Sequence, residues 1–295
     1  MNTELISNCF LCGSNHFGDK YRKNGYTIVS CTGCGLVFVN PQCPQEKTKM
    51  IYSEDYFFYR NLDQHDNKTR EIIRSFKKQS YMQYIHRYFT CVPDGGKILD
   101  IGCGEGYFLQ TVQEYGYKPY GVEISEIASS IARENVKGTI ITGILHEAQF
   151  ESNFFDVVTL FDVVEHFHNP VEEMQEIYRI TKPGGMCFIL TPDAGGIIPF
   201  IMRSNWFELK PPEHLFYFTK KTLGILLQTT GFLDIQTFSS GKILTLEYIA
   251  AILKHSNPII ARMLKAGLGW IPFYRRTLSF NFGYAAGIGR KLQSF

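Results

Sequence analysis

From Lys97 onward, short apolar runs alternate with segments whose apolar residues recur every three or four positions. "KILDIG" (97–102), "PYGVEI" (119–124), "GTIITG" (138–143), "FFDVVTLFD" (154–162), "MCFILTP" (186–192) and "LDIQTFSS" (233–240) read as strands. "YFLQTVQEYG", "SEIASSIARENV" and "TKKTLGILLQTTGF" read as helices, and a further one opens at Asn169-Pro170 and stops at "KPGG". Local signals agree: Ser125 can cap its helix, Pro170 suits a first helical position, and Glu172 and Glu173 favour the positive end of the helix dipole. "FFDVVTLFD" is apolar on both faces, as in a central parallel strand. The alternation predicts an α/β, doubly wound, Rossmann-like parallel sheet with helices on both sides. "FNFGYAAGIGRKL" near the end predicts one more strand.

Two regions break the rhythm. In residues 46–94, Ile72, Ile73, Phe76, Tyr81, Tyr84, Ile85 and Tyr88 follow a helical period that ends before "PDGG"; we read a helical linker or lid. Its tyrosines serve packing or line the mouth of a pocket. Residues 242–276 read as two helical pieces split at Asn257-Pro258. They carry Lys242, Lys254, Arg262, Lys265, Arg275 and Arg276 against Glu247, with Trp270 and Phe273 interleaved. Such an insertion caps a substrate pocket, makes a homodimer contact, or lies on an anionic membrane as a peripheral contact.

The first 45 residues have a different pattern. Cys9 and Cys12 form one C-x-x-C pair, and Cys31 and Cys34 form another. Between them "KYRKNGYTIVSC" reads as a hairpin turning at Asn24-Gly25. Two such pairs at this spacing can close a tetrahedron around zinc, with no open coordination position, so a structural rather than catalytic metal is expected. So small a module buries little core, and a metal would supply its folding energy. Cys43, Cys91, Cys103 and Cys187 show no pairing pattern and read as buried spectators. The predicted domains are therefore a zinc ribbon (1–45), the helical linker or lid (46–94) and the α/β domain (95–295).

A net charge of +2 offers no global attraction for nucleic acid. The N-terminus lacks the basic and apolar regions of a signal peptide, and no apolar run is long enough to span a bilayer, so a cytoplasmic location is expected.

Ligands of an open parallel sheet sit at the carboxyl ends of its strands. The first strand delivers Asp100, Gly102, Cys103 and Gly104 there. The spacing G-x-G-x-G is close to a dinucleotide fingerprint, but Asp100 would repel a pyrophosphate and attract a cation. The second strand ends at Glu123 and Ile124, where an acid can accept both hydroxyl protons of a ribose. A ribose acceptor beside a site for a cationic tail describes S-adenosylmethionine.

The motifs "LDIGCGEGYFL", "GVEIS", "FDVVTLFDVVEHFHNP" and "ITKPGG", in this order, resemble those of class I S-adenosylmethionine-dependent methyltransferases over residues 95–240. The resemblance implies a seven-stranded sheet whose last strand is antiparallel, with "FNFGYAAGIG" in that place. It also implies that the loop from Gly102 to Gly104 wraps the methionine part, that Glu123 holds the ribose, and that Phe161 and Asp162 line the cofactor and substrate side. One departure stands out. Where many members carry an adenine-binding aspartate, this chain has Ile144, which leaves that contact to backbone, Glu147 or Gln149. A front zinc ribbon followed by "YSEDYF" and "PPEHLFYF" resembles a subgroup that methylates sugars and small metabolites in bacteria and archaea.

An oxygen acceptor must lose a proton, and His166 and His214 both follow strands at the ligand edge. Trp206 and Phe207 lie near His214 in sequence and suit either stacking on an acceptor or exclusion of water. The expected activity is methyl transfer to a small molecule or glycan, foremost O-methylation of a sugar or hydroxylated metabolite. The alternatives are an RNA methyltransferase that uses the ribbon for binding, and a non-catalytic cofactor-binding partner subunit. Nucleic acid is the weaker expectation, because "FDVVEH" is not the N-P-P-Y type of sequence used on base amines. The ribbon's Lys20, Arg22 and Lys23 also make only a thin basic patch beside Asp19.

Overall fold

The computed structural model describes residues 3–45, 67–241, 243–245, 277–279 and 283–292. The chain opens with an antiparallel hairpin of β1 (Phe17–Lys23) and β2 (Tyr26–Cys31). The turn sits at the expected Asn24-Gly25, both with positive φ. Strand β3 (Val37–Val39) pairs with β2. Helix α1 (Asn67–Tyr88) follows, then the alternating region: β4 (Lys97–Ile101), α2 (Tyr107–Glu114), β5 (Lys118–Glu123), α3 (Glu126–Asn135), β6 (Thr139–Thr142), β7 (Phe155–Phe161), α4 (Pro170–Ile180) and β8 (Thr181–Pro192). The remainder comprises a short helix α5 (Ile197–Met202), β9 (Phe216–Tyr217), α6 (Lys220–Thr229), β10 (Leu233–Ser240), the pair β11 (Ile243–Thr245) and β12 (Thr277–Ser279), and β13 (Tyr284–Arg290).

Seven strands form the main sheet in the order β10-β13-β8-β7-β4-β5-β6. The pairings β6-β5-β4-β7-β8 are parallel, while β13 runs antiparallel between β8 and β10. The order reverses beside β4, so the carboxyl end of that strand is the switch point where a ligand crevice opens. Successive residues of the central strands face opposite layers. Leu99, Val158, Leu160, Cys187 and Ile189 join one buried cluster, with Met174 and Ile177 of α4 and Leu223 and Leu226 of α6. Ile98, Val157, Phe188 and Leu190 join the other, with Tyr84 and Ile85 of α1 and Phe108 and Val112 of α2. Tyr81, Tyr84 and Tyr88 of α1 lie within 5.1–6.0 Å of the rings of Phe108, Phe161, Phe188 and Phe238. They are packing residues.

The front module does not fold on its own core. Strand β9 comes from the "HLFYF" segment, after β8, yet it joins the ribbon sheet: Val37 pairs with Tyr217 and Phe38 with Phe216. The Val39 amide donates to the Leu215 carbonyl at 2.9 Å. Phe216 is fully buried, 6.0 Å from the Phe38 ring and 5.6 Å from the Phe10 ring. Trp206 is buried too, in a cluster with Ile28, Val37, Val39 and Leu209. It is a wedge between the ribbon and the α/β domain and presents no face for stacking; Phe207 remains exposed.

Two boundaries differ from the sequence reading. Strand β8 begins at Thr181, directly after α4, because the Gly184 amide donates to the Lys291 carbonyl and the Lys291 amide to the Gly185 carbonyl. Leu244 and Thr245, expected in a helix, lie in β11 and pair with β12. Residues 46–66, and all of the basic insertion between Leu246 and Arg276, fall outside the described residues. Among the described residues, no helix is long and apolar enough to cross a membrane.

Candidate active site

Four elements deliver polar groups to the carboxyl edge of the sheet. After β4 the chain turns through three glycines with positive φ: Gly102, Gly104 and Gly106. At Gly102 the reason is twofold, for a Cβ would sit 2.5 Å from Val163 Cγ2. At Gly104 the missing side chain faces open space, so a ligand can approach the backbone there. Gly106 precedes α2, and its own amide donates to the Cys103 carbonyl at 3.0 Å. The Cys103 side chain is buried, and burial raises its thiol pKa, so it is an apolar filler of the loop and not a nucleophile.

Glu123, at the end of β5, holds this loop in place. One of its carboxylate oxygens accepts the Gly104 amide at 2.8 Å and the other accepts the Ser125 amide at 2.9 Å. Ser125 in turn caps α3 by accepting the Ala128 amide. Burial raises the Glu123 pKa, and the Ser125, Gly104 and Ile124 amides pull it back. The carboxylate keeps acceptor capacity beyond these amides, which suits the diol of a ribose.

Asp100 lies under the loop, 3% exposed, and accepts the Thr159 hydroxyl at 2.7 Å. Burial drives its pKa up to about 8, against the Thr159 hydrogen bond, with a further upward push from Glu123. Phe161 ends β7 with its ring 4.8 Å from Phe108. Asp162 follows with φ of 58°, an uncommon value for a residue with a side chain, while its amide donates to the Leu190 carbonyl at 2.8 Å. Such a conformation at a strand end is a mark of functional sites.

His166 and His214, 48 residues apart, meet here with ring centroids 4.8 Å apart at 82°. His166 Nδ1 lies 2.8 Å from the Glu213 carbonyl, which can only accept, so Nδ1 carries the proton and Nε2 keeps a lone pair. His214 is buried, directly before the segment that pairs with the ribbon. Beneath them sits Glu165, 1% exposed, which accepts the Thr191 hydroxyl at 2.9 Å. Burial, then the nearby Asp162, raises its pKa to about 8.

Three of these groups escaped the sequence reading. Thr159 and Thr191 are lone hydroxyls in apolar strands, a signal that a buried polar partner is near. Glu165 was visible only as a neighbour of His166. Ile144, in the adenine position, heads a short turn in which its amide donates to the Glu147 carboxylate at 3.1 Å. Glu147 is therefore engaged locally.

In the ribbon, the sulfurs of Cys9 and Cys34 are 3.5 Å apart, as are those of Cys12 and Cys31, and all four lie within 4.8 Å of one another. A tetrahedron of thiolates about 2.3 Å from zinc has edges of about 3.8 Å, so the four residues fit such an ion. Cys31 has a pKa of about 7: burial raises it, but the Cys34 and Gly33 amides outweigh that and favour the thiolate.

A family model for a methyltransferase domain matches residues 73–237, more than half of the chain. The ubiquinone biosynthesis O-methyltransferase of Pseudomonas aeruginosa (strain LESB58) is 32% identical over 103 residues, 33% of this chain and 44% of that protein. The match thus spans less than half the length of this relative. Among solved structures, a SAM-dependent methyltransferase from Archaeoglobus fulgidus superposes with a TM-score of 0.52 at 20% identity, covering 77% of this chain and all of that one. Haemonchus contortus phosphoethanolamine N-methyltransferase 2, in complex with S-adenosyl-L-methionine, gives 0.51 at 22% identity, covering 80% of this chain and 59% of that one. At these identities the two structures speak for the fold.

The glycine loop makes a clear prediction. Gly102→Ala and Gly104→Ala both place a side chain at positive φ, but only Gly102→Ala also meets Val163. Chemical denaturation is expected to show a loss of about 2–4 kcal/mol for the first and about 1–2 kcal/mol for the second. Equal losses would contradict the packing role of Gly102.

Proposed function

This chain belongs to the methyltransferase-domain family, and on that premise we propose that it moves a methyl group from S-adenosylmethionine to an oxygen of a small hydroxylated molecule. The observation that carries the reading is the convergence of two sets of groups on one sheet edge. Gly104 and Glu123 offer open backbone and a diol acceptor, and the His166–His214 pair offers a proton acceptor. When bound, the cofactor supplies a methyl carbon already activated by a sulfonium leaving group. Asp100, Gly102, Cys103, Gly104, Glu123, Ile124, Phe161 and Asp162 are the residues assigned to holding it. The protein's remaining task is to orient the acceptor and remove its proton, which an imidazole nitrogen is suited to accept.

The O-methyltransferase relative supports oxygen as the acceptor atom. A glycan or sugar is the finer expectation within that class. The ribbon speaks against RNA. Its Lys23 is spent on the Trp206 carbonyl at 3.1 Å and Arg22 faces Asp19 at 3.6 Å, which leaves little basic surface. Incubating the protein with a cell extract and methyl-labelled cofactor tests this directly. Label is expected in the small-molecule fraction and to be lost with His214→Ala; label recovered in RNA would overturn the reading.

The raised pKa of Asp100 adds a pH signature. A cationic ligand stabilises the ionised carboxylate, so binding is linked to loss of its proton. Calorimetry is expected to show cofactor affinity rising from pH 7 to about 8 and levelling above. Asp100→Asn should bind more weakly and without that slope. A wild-type affinity flat across this range would contradict the contact.

We also assign a structural zinc to Cys9, Cys12, Cys31 and Cys34. Metal analysis should find one zinc per chain, absent from Cys12→Ser/Cys31→Ser. Because β3 and β9 share a sheet, that variant should lose acceptor turnover before it loses cofactor binding. A variant that keeps full activity without zinc would contradict the assignment.

A further inference from the structure

Glu165 is not among the residues assigned above to the cofactor, yet its burial is nearly complete. One of its oxygens is fixed by Thr191, and the other, Oε1, is buried and has no hydrogen-bond partner among the described residues. An unsatisfied carboxylate oxygen in such surroundings is costly unless something nearby compensates it. The compensating groups are at hand. A carboxylate oxygen of Glu165 and one ring nitrogen from each of His166 and His214 lie within 4.8 Å of one another. The backbone of Glu165 ties the same place together, for its carbonyl accepts the Leu215 amide at 2.9 Å, next to His214.

We propose that Glu165 is a positioning residue for methyl transfer: its buried carboxylate orients the His166–His214 pair and balances the positive charge that forms when an imidazole takes the acceptor's proton. This rests on the O-methylation reading above. The step balances simply. The acceptor's O–H bond breaks, its proton moves to an imidazole nitrogen, and the electron pair stays on oxygen for the new bond to the methyl carbon, whose old bond to the sulfonium would break with its electron pair left on sulfur as a neutral thioether. The imidazolium later returns the proton to water. His166 is prepared for this by its Nδ1–H bond to the Glu213 carbonyl, which selects the tautomer with an unprotonated Nε2. The arrangement follows the acid–imidazole logic of hydrolytic triads, where a buried carboxylate sets the tautomer and stabilises the imidazolium without reacting itself. Asp162 and Glu208 also face Glu165 electrostatically, and both press its proton to stay in the cluster. The titration is therefore a property of the group and not of one residue.

The test is Glu165→Gln, with Thr191→Val as a milder variant that loosens the carboxylate without removing it. Nuclear magnetic resonance of the zinc-loaded protein labelled with nitrogen-15 histidine follows the two imidazoles directly. In Glu165→Gln their titration should shift to lower pH by about one unit or more, because an imidazolium that shares the cluster's proton would lose the carboxylate that balances it. Thr191→Val should shift it less. In kinetics, Glu165→Gln should lower kcat about 10- to 100-fold, with cofactor affinity within about twofold and the rising limb of the pH–rate profile moved to lower pH. A purely structural role would lower stability and leave the titration where it was, which would overturn the proposal. So would a metal ion bound in addition to the thiolate zinc and lost in Glu165→Gln, since the trio would then be a cation site. The resonance titration needs no acceptor. If the pair titrates as expected but no oxygen is methylated, the functional reading has failed and not the pairing.

Discussion

The ligand side of this protein depends on two backbone pairings, Val37 with Tyr217 and Phe38 with Phe216. They pull the segment after β8 away from the main sheet and fasten it to the ribbon. His214 sits two residues before that segment, and the Leu215 amide donates to the Glu165 carbonyl in the turn that follows β7. A displacement of the ribbon would therefore move one imidazole relative to the other. Buried rings reinforce the link: Phe10, Phe38 and Phe216 meet at 5.6–6.0 Å, and Trp206 fills the space behind. In this fold the four-cysteine module abuts the segment that carries His214, which gives a physical reason for the closed, structural zinc site proposed above.

The second organising constraint is electrostatic. Asp100, Glu123 and Glu165 are all buried at one edge, and burial raises the pKa of each. A sheet edge that gathers acids in low dielectric is poorly suited to phosphate and well suited to a cationic ligand and to proton exchange. The three acids divide that work by their partners. Glu123 holds the Gly104 and Ser125 amides and so shapes the loop. Asp100 is held by Thr159 beneath it. Glu165, held by Thr191, faces the imidazoles.

Much of this was legible in the sequence. The strand and helix alternation from Lys97, the antiparallel strand near the end and the hairpin at Asn24-Gly25 all appear in the structure, because each rests on local periodicity or turn chemistry. The four cysteines converge as their spacing implies. Sequence reasoning also named both histidines, but not their meeting, which depends on a pairing between residues about 180 positions apart. For the same reason it left the ribbon free-standing and offered Trp206 to the acceptor, when the ring is buried against the ribbon. Glu165, Thr159 and Thr191 were missed because a single polar residue in an apolar segment shows its partner only in three dimensions.

The central claim is that this edge of the sheet delivers a methyl group to oxygen under the His166–His214 pair. Carbon-13 methyl-labelled S-adenosylmethionine, turned over with an acceptor-rich small-molecule extract and followed by carbon–proton correlation spectroscopy, reports the atom that receives the label. The account predicts new resonances in the O-methyl region that are absent with His166→Ala/His214→Ala. Label in the N-methyl or C-methyl region, or O-methyl signal undiminished without the two histidines, would contradict it.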